Sequence, residues 1–186
     1  MRKIFYAIML VATAMGVTSC LGNGVEDEYK DWREKNQNWF NEQQIKLDDK
    51  GKLYYTVVTA PWDPNAKVLV HWFNDRELTK DNLAPLYSST VDVKYKGCLY
   101  NNTPFDSSFL STTPADSISR FTIGNTSKGG VIEGWGIALP QMHVGDSCRI
   151  VINYPQGYGA YSINELIKPY SALQFDVKLV DIYKYE

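Results

Sequence analysis

Histidine and cysteine are both scarce in this 186-residue chain, which carries two of the first and three of the second. His71 and His143 are far apart, neither belongs to a pair at metal-ligand spacing, and no HExxH or CxxC occurs. No metal and no organic cofactor is therefore expected. A nucleophilic site assembled from Ser107 or Ser108 with His143 and Asp146 would lack the GxSxG elbow that presents such a serine. Gly157-Tyr158-Gly159 is followed by no lysine and opens no evident helix, so it does not read as a phosphate loop. Positive charge is in short supply too, 19 basic against 21 acidic residues with no basic stripe, and nucleic acid is not an expected partner. Long apolar runs are absent apart from one near the start.

That run, Ile4 to Val17 behind Arg2 and Lys3, is too short to span a bilayer and reads as a secretory signal over residues 1–19. It closes on Val17-Thr18-Ser19-Cys20, which resembles the bacterial lipobox, in which cleavage before the cysteine leaves a lipid-modified N-terminus. Cys20 is the expected lipidation site. The expected location is the bacterial cell envelope, lipid-anchored to a membrane and facing the periplasm or the surface. Removing residues 1–19 takes away Arg2 and Lys3, leaving 17 basic and 21 acidic residues, a net of −4. The remaining cysteines, Cys98 and Cys148, are expected unpaired. Strand parity puts Cys98 outward on the face of Lys94 and Lys96, and Cys148 inward with Ile150 and Ile152.

The rest is rich enough in apolar residues (44%, with 13% aromatic) to build a sizeable core. Residues 20–51 divide into a tether and an amphipathic helix. Val25, Tyr29, Trp32, Trp39 and Phe40 fall near one helical face, acidic residues crowd its beginning, and it is expected to end near Asp48–Gly51. Its aromatic stripe could dock on the following domain, or serve as a dimerisation or client-holding surface; a homodimer through residues 25–47 is the partner this implies. From Lys52 the period changes to two. Leu53–Val58, Val68–Phe73, Val91–Lys96, Arg149–Asn153 and Leu173–Ile182 read as strands, with Pro61–Asn65 as the turn between the first pair. Only residues 131–141 read as helix within this region. The expected fold is α+β, one short helix against several antiparallel strands.

The stretch GGVIEGWGIAL, residues 129–139, places four glycines around one tryptophan where that helix begins. It stands in order with VDVKYKGCLYNNTPFDSSF before it and with YPQGYGA and SALQFDVKLVDI after it. These blocks closely resemble the FKBP-type peptidyl-prolyl cis–trans isomerases over about residues 53–186. The resemblance implies an antiparallel sheet wrapped around one short helix, with residues 52–186 as the isomerase domain. It implies an enzyme that accelerates Xaa-Pro rotation in exported proteins by taking proline into a desolvated aromatic pocket. Trp135 matches the pocket floor, and Tyr95, Phe105, Asp106, Tyr158 and Phe175 match the remaining walls. Val131 and Ile132 match the rim, with the Ile132 amide as donor to the ligand's backbone carbonyl. Leu166 and Ile167 fall where the family has an apolar flap. The glycines are expected to turn the chain sharply and bring backbone close to a ligand. Proline-containing polypeptides and rapamycin-like macrolides are the implied ligands. Departures include Ser119 in place of a wall aromatic, a longer 109–119 loop, Ile163 for a frequent His, and Lys168 interrupting a Pro-Pro pair. The alternative is a catalytically weak relative that keeps the pocket as a peptide-binding module or holdase.

Overall fold

The structure, a computed structural model, describes residues 28–111, 117–124 and 130–185. The signal segment, Cys20 and Val25 lie outside them. The described chain begins with helix α1 (Lys30–Ile45) and continues through strands β1 (Thr56–Ala60), β2 (Asp63–Trp72), β3 (Thr90–Leu99) and β4 (Pro104–Ser107). There follow a single turn of helix α2 (Ser108–Ser111), β5 (Ser119–Thr122), helix α3 (Glu133–Ala138), β6 (Ser147–Ile152) and β7 (Leu173–Lys184). All strand pairs are antiparallel, in the order β1-β2-β6-β7-β3-β4, and β5 lies on β3 beside β4.

The sheet wraps α3. Trp135, Ile137, Ala138, Leu139 and Met142 bury themselves against Val70, Val93, Ile150, Ile152, Leu173 and Val177 in one continuous core. Of the four glycines around Trp135, Gly129 lies outside the described residues, Gly130 lines the cavity, and the other two serve packing. Gly134 and Gly136 lie within α3. A Cβ on Gly134 would stand 2.6 Å from Ile152 Cγ2, and one on Gly136 would stand 3.1 Å from Tyr87 Cε2. They let the helix sit directly on β6 and on the loop before β3.

Helix α1 covers the opposite face of the sheet. Phe40 packs into a second cluster with Tyr55, Leu69 and Val151, flanked by Trp39 and Tyr54. Trp32 and Trp39 set their rings edge-on to Tyr100, at 5.4 and 6.5 Å between centroids. The aromatic stripe thus docks on the chain's own domain, and the helix ends at Ile45, a few residues earlier than expected. This cover corrects the placement of Cys98. Its parity is outward, in a row across the sheet with Gln174, Val151 and Leu69. That row lies under or beside the helix, so Cys98 is buried as well as Cys148, and both are free thiols. The turn between β1 and β2 is shorter than expected, since β2 begins at Asp63, and β1 starts at Thr56 rather than Leu53.

Candidate functional site

A cavity of about 510 Å³ opens between α3, β3, β7 and the segment that follows β6. Its floor is Trp135, 3% exposed. Three rings meet that indole nearly at right angles: Tyr95 at 5.2 Å and 86°, Phe121 at 5.6 Å and 80°, Phe175 at 5.2 Å and 87°. Edge-to-face pairs of this kind contribute roughly 0.5–1.5 kcal/mol each beyond area burial, and they fix the rings' orientation. The Trp135 Nε1–H has no partner among the described residues, so shape rather than hydrogen bonding holds the indole.

Strand pairing explains why these rings converge. Tyr95 and Gly97 lie on the inner face of β3, where Gly97 faces Asp106 of β4 on one side and Phe175 of β7 on the other. Phe105 packs edge-on to Phe175 at 5.5 Å and 87°. A side chain at Gly97 would collide with both, since its Cβ would lie 2.8 Å from each ring. Val131 and Ile132 form the entry to α3, with Ile132 as the N-cap residue and its carbonyl accepting from Trp135 N at 3.0 Å. Among the described residues the Ile132 amide donates to no acceptor, and it stands on the cavity wall.

The polar groups are few. Asp106 takes the Tyr95 hydroxyl on Oδ2 at 2.7 Å and its neighbour's amide, Ser107 N, on Oδ1 at 2.8 Å. Burial, and then the Asp106 carboxylate, push the Tyr95 phenol well above its ordinary value. Burial likewise raises Tyr158, with Asp106 adding to it. Both phenols therefore remain neutral donors throughout the physiological range. Glu133 lines the mouth and accepts from Trp62 Nε1 at 3.3 Å.

Of the residues singled out in the sequence, Tyr95, Asp106, Val131, Ile132, Trp135, Tyr158 and Phe175 line the cavity together. Phe105 stands behind Phe175 and is not part of the lining. Leu166 and Ile167 are not part of it either: Leu166 is exposed and Ile167 is buried in the main core. Phe121 and Glu133 line the site without having been singled out, and so do two glycines of the quoted stretches, Gly130 and Gly157. Phe121 could have been found from parity, since it lies two residues from Ser119 on the same face of β5. Its ring supplies a wall where Ser119 has none, at 5.8 Å from Tyr95.

Comparison with known proteins agrees with this geometry. A family model described as FKBP-type peptidyl-prolyl cis-trans isomerase matches residues 84–180. The FK506-binding protein 1 of Saccharomyces cerevisiae is 36% identical over 92 residues, half of this chain and 75% of that protein. The peptidyl-prolyl cis-trans isomerase Fkbp12 of Drosophila melanogaster is 37% identical over 92 residues, covering 79% of that protein. Among solved structures, FkpA from Escherichia coli superposes with a TM-score of 0.64 at 24% identity, over 87% of this chain and 64% of that one. At that identity the likeness speaks for the fold.

Proposed function

The chain belongs to the FKBP-type peptidyl-prolyl cis-trans isomerase family, and from that premise we propose that it turns Xaa-Pro bonds by seating the proline ring over Trp135. The observation that carries this reading is the indole floor enclosed by the perpendicular edges of Tyr95, Phe121 and Phe175. A planar amide resists rotation by ~18–20 kcal/mol because twisting breaks its resonance. The twisted amide carries less charge on its carbonyl oxygen than the planar one. A cavity walled by aromatic rings therefore destabilises the planar ground state relative to the transition state. The Ile132 amide and the Tyr158 hydroxyl are the donors that hold the substrate backbone at the mouth. Asp106 acts through Tyr95, fixing the ring that forms one wall. No group is required to give or take a proton.

The substrates in this reading are proline-containing segments of exported polypeptides, and rapamycin-like macrolides compete for the same cavity. Cys20 anchors the protein by lipid to a membrane of the bacterial cell envelope. The decisive experiment is isomerisation of a short Xaa-Pro peptide, followed by exchange NMR so that no coupled protease is needed. Turnover that a macrolide abolishes supports the reading; binding of the peptide without turnover would replace it with a peptide-binding module. For the anchor, Cys20→Ala should release the protein from membranes, and unchanged partition with normal processing would refute that part.

A further inference from the structure

Segment 153–172 links β6 to β7, carries Tyr158 to the cavity, and has no strand or α-helix of its own. Residues 160–166 within it are exposed, and the core holds it only from Ile167 onwards. A loop this long without strand or α-helix is uncommon inside a compact domain. Both of its ends are tied to one face of α1, at positions spaced i, i+1, i+4 and i+5. Asn153 Nδ2 donates to Gln37 Oε1 at 3.3 Å, and Trp32 Nε1 donates to Ser171 Oγ at 3.1 Å. The Ala172 amide donates to Asn36 Oδ1 at 2.8 Å, and Asn36 is fully buried.

Between these ties Arg33 joins two tyrosines. Its guanidinium carbon lies 5.7 Å from the Tyr154 ring centre and 4.6 Å from that of Tyr170, and Nη2 donates to the Tyr154 hydroxyl at 3.4 Å. The two rings meet edge-on, 5.3 Å apart at 82°. Their backbones grip the residues on either side of Tyr158. The Tyr154 carbonyl accepts from Gly157 N at 3.0 Å and from Gly159 N at 2.8 Å, while Tyr170 N donates to the Gly159 carbonyl at 2.9 Å. Gly159 takes φ +66°, a conformation that closes this double link and that side chains rarely adopt.

We propose that α1 is part of the catalytic apparatus: Arg33, acting through Tyr154 and Tyr170, is a positioning residue that sets the place of Tyr158 at the mouth of the cavity. Helix α1 lies before residue 84, where the family match begins. From outside the matched residues it braces a loop whose attachment within them is Ile167 in the core. The inference rests on the isomerase reading for its catalytic consequence, though not for the geometry of the brace.

The test is a mutant cycle on the full chain. Arg33→Ala should lower kcat/KM about two- to fivefold, the size of one cation–π contact near the surface. Arg33→Lys should restore most of it. In a Tyr158→Phe background the same Arg33→Ala change should cost almost nothing, because the hydroxyl it positions is gone. Amide hydrogen exchange supplies a readout independent of turnover: Arg33→Ala should speed exchange at Gly159 and Tyr170 while the amides of β6 and β7 stay protected. An equal loss of activity with and without the Tyr158 hydroxyl would overturn the proposal. So would unchanged exchange at Gly159 and Tyr170. If the unmodified protein turns over no Xaa-Pro peptide, the functional reading falls, and the exchange data alone decide the brace.

Discussion

The Tyr95 hydroxyl donates to Asp106 Oδ2 across the β3–β4 pair at 2.7 Å, which makes the carboxylate an orienting group rather than a free base. The same anion, after burial, holds the Tyr95 phenol above its ordinary value. Neutralising it in Asp106→Asn should move the alkaline titration of Tyr95 downwards, followed by ultraviolet difference absorbance. Tyr95→Phe keeps the ring against Trp135 and loses one bond to an exposed carboxylate. Such a bond lies at the lower end of the roughly 1.5–3 kcal/mol of a charge-assisted bond, so kcat/KM should fall by about tenfold. A loss of a thousandfold would mean that Asp106 or the hydroxyl meets the reacting amide directly.

Turnover of a peptide with no ionisable side chain should be nearly flat between about pH 6 and 8. Nothing in the proposed reaction transfers a proton, and the two phenols at the site, Tyr95 and Tyr158, both titrate above their ordinary value of 10.0. Their neutral forms persist through neutrality and are lost only in strong alkali. A bell-shaped profile centred near pH 7, or a large solvent isotope effect, would require general acid–base chemistry and would sink the desolvation account.

Most of the site was legible through the resemblance of its sequence blocks to a known family; alternation by itself reads only the inward face of β3 and β7, which carries Tyr95 and Phe175. Val91, Val93 and Tyr95, and likewise Phe175, Val177 and Leu179, announce their inward face by period two. β4 and β5 span four residues each, too few alternations to register, and Phe121 was missed with β5. Cys98 shows a different limit. Its parity was read correctly, but whether the outer face is wet depends on α1, a helix distant in sequence, and not on β3. Asn36 was invisible for a related reason: an asparagine in a polar helix looks solvated until Ala172 N turns out to need an acceptor. The packing role of Gly134 and Gly136 could not be read from the sequence, because their neighbours Ile152 and Tyr87 come from other parts of the chain.

Asp146 should govern acid stability. It is fully buried beside the turn after α3, where it accepts from Asn74 Nδ2 at 2.9 Å, from His143 N at 2.8 Å, from Arg76 Nε at 3.3 Å and from Thr79 Oγ1. Burial pushes its pKa up, but these donors and the Arg76 charge outweigh it and hold the carboxyl below its ordinary 3.8. A depressed carboxyl contributes stability that is complete above the unfolded value and is lost as pH falls through the folded one. The acid limb should therefore begin below about pH 4. Urea unfolding of Asp146→Asn should show a loss of roughly 1.5–3 kcal/mol at pH 7, the scale of a hydrogen bond to a charged group. The difference from the unmodified protein should shrink toward pH 3. A constant difference from pH 7 to pH 3 would show that the carboxylate's charge is not what these groups require.

Gly97→Ala tests whether the cavity works by shape. A methyl group there would lie 2.8 Å from Phe105 Cε2 and Cζ and equally close to Phe175 Cε1, closer than carbon atoms approach. Phe175 is 4% exposed and wedged between Trp135 at 5.2 Å and Phe105 at 5.5 Å, so it cannot retreat without moving the floor. Phe105 is only half-buried and is the ring able to give way. Overpacking of this kind costs typically 1–3 kcal/mol, and the part of the strain that reaches Phe175, a ring of the cavity wall, should lower turnover along with stability. Phe105→Leu alone should be mildly harmful, since it removes an edge contact with Phe175. In the Gly97→Ala background the same change should raise both the melting temperature and kcat/KM, because it vacates the room the methyl group needs. That reversal of sign is the diagnostic, as two independent defects would add. If Gly97→Ala leaves melting and turnover unchanged, the two rings are not held as tightly as the edge-on geometry requires, and the rigid-wall account of catalysis fails with it.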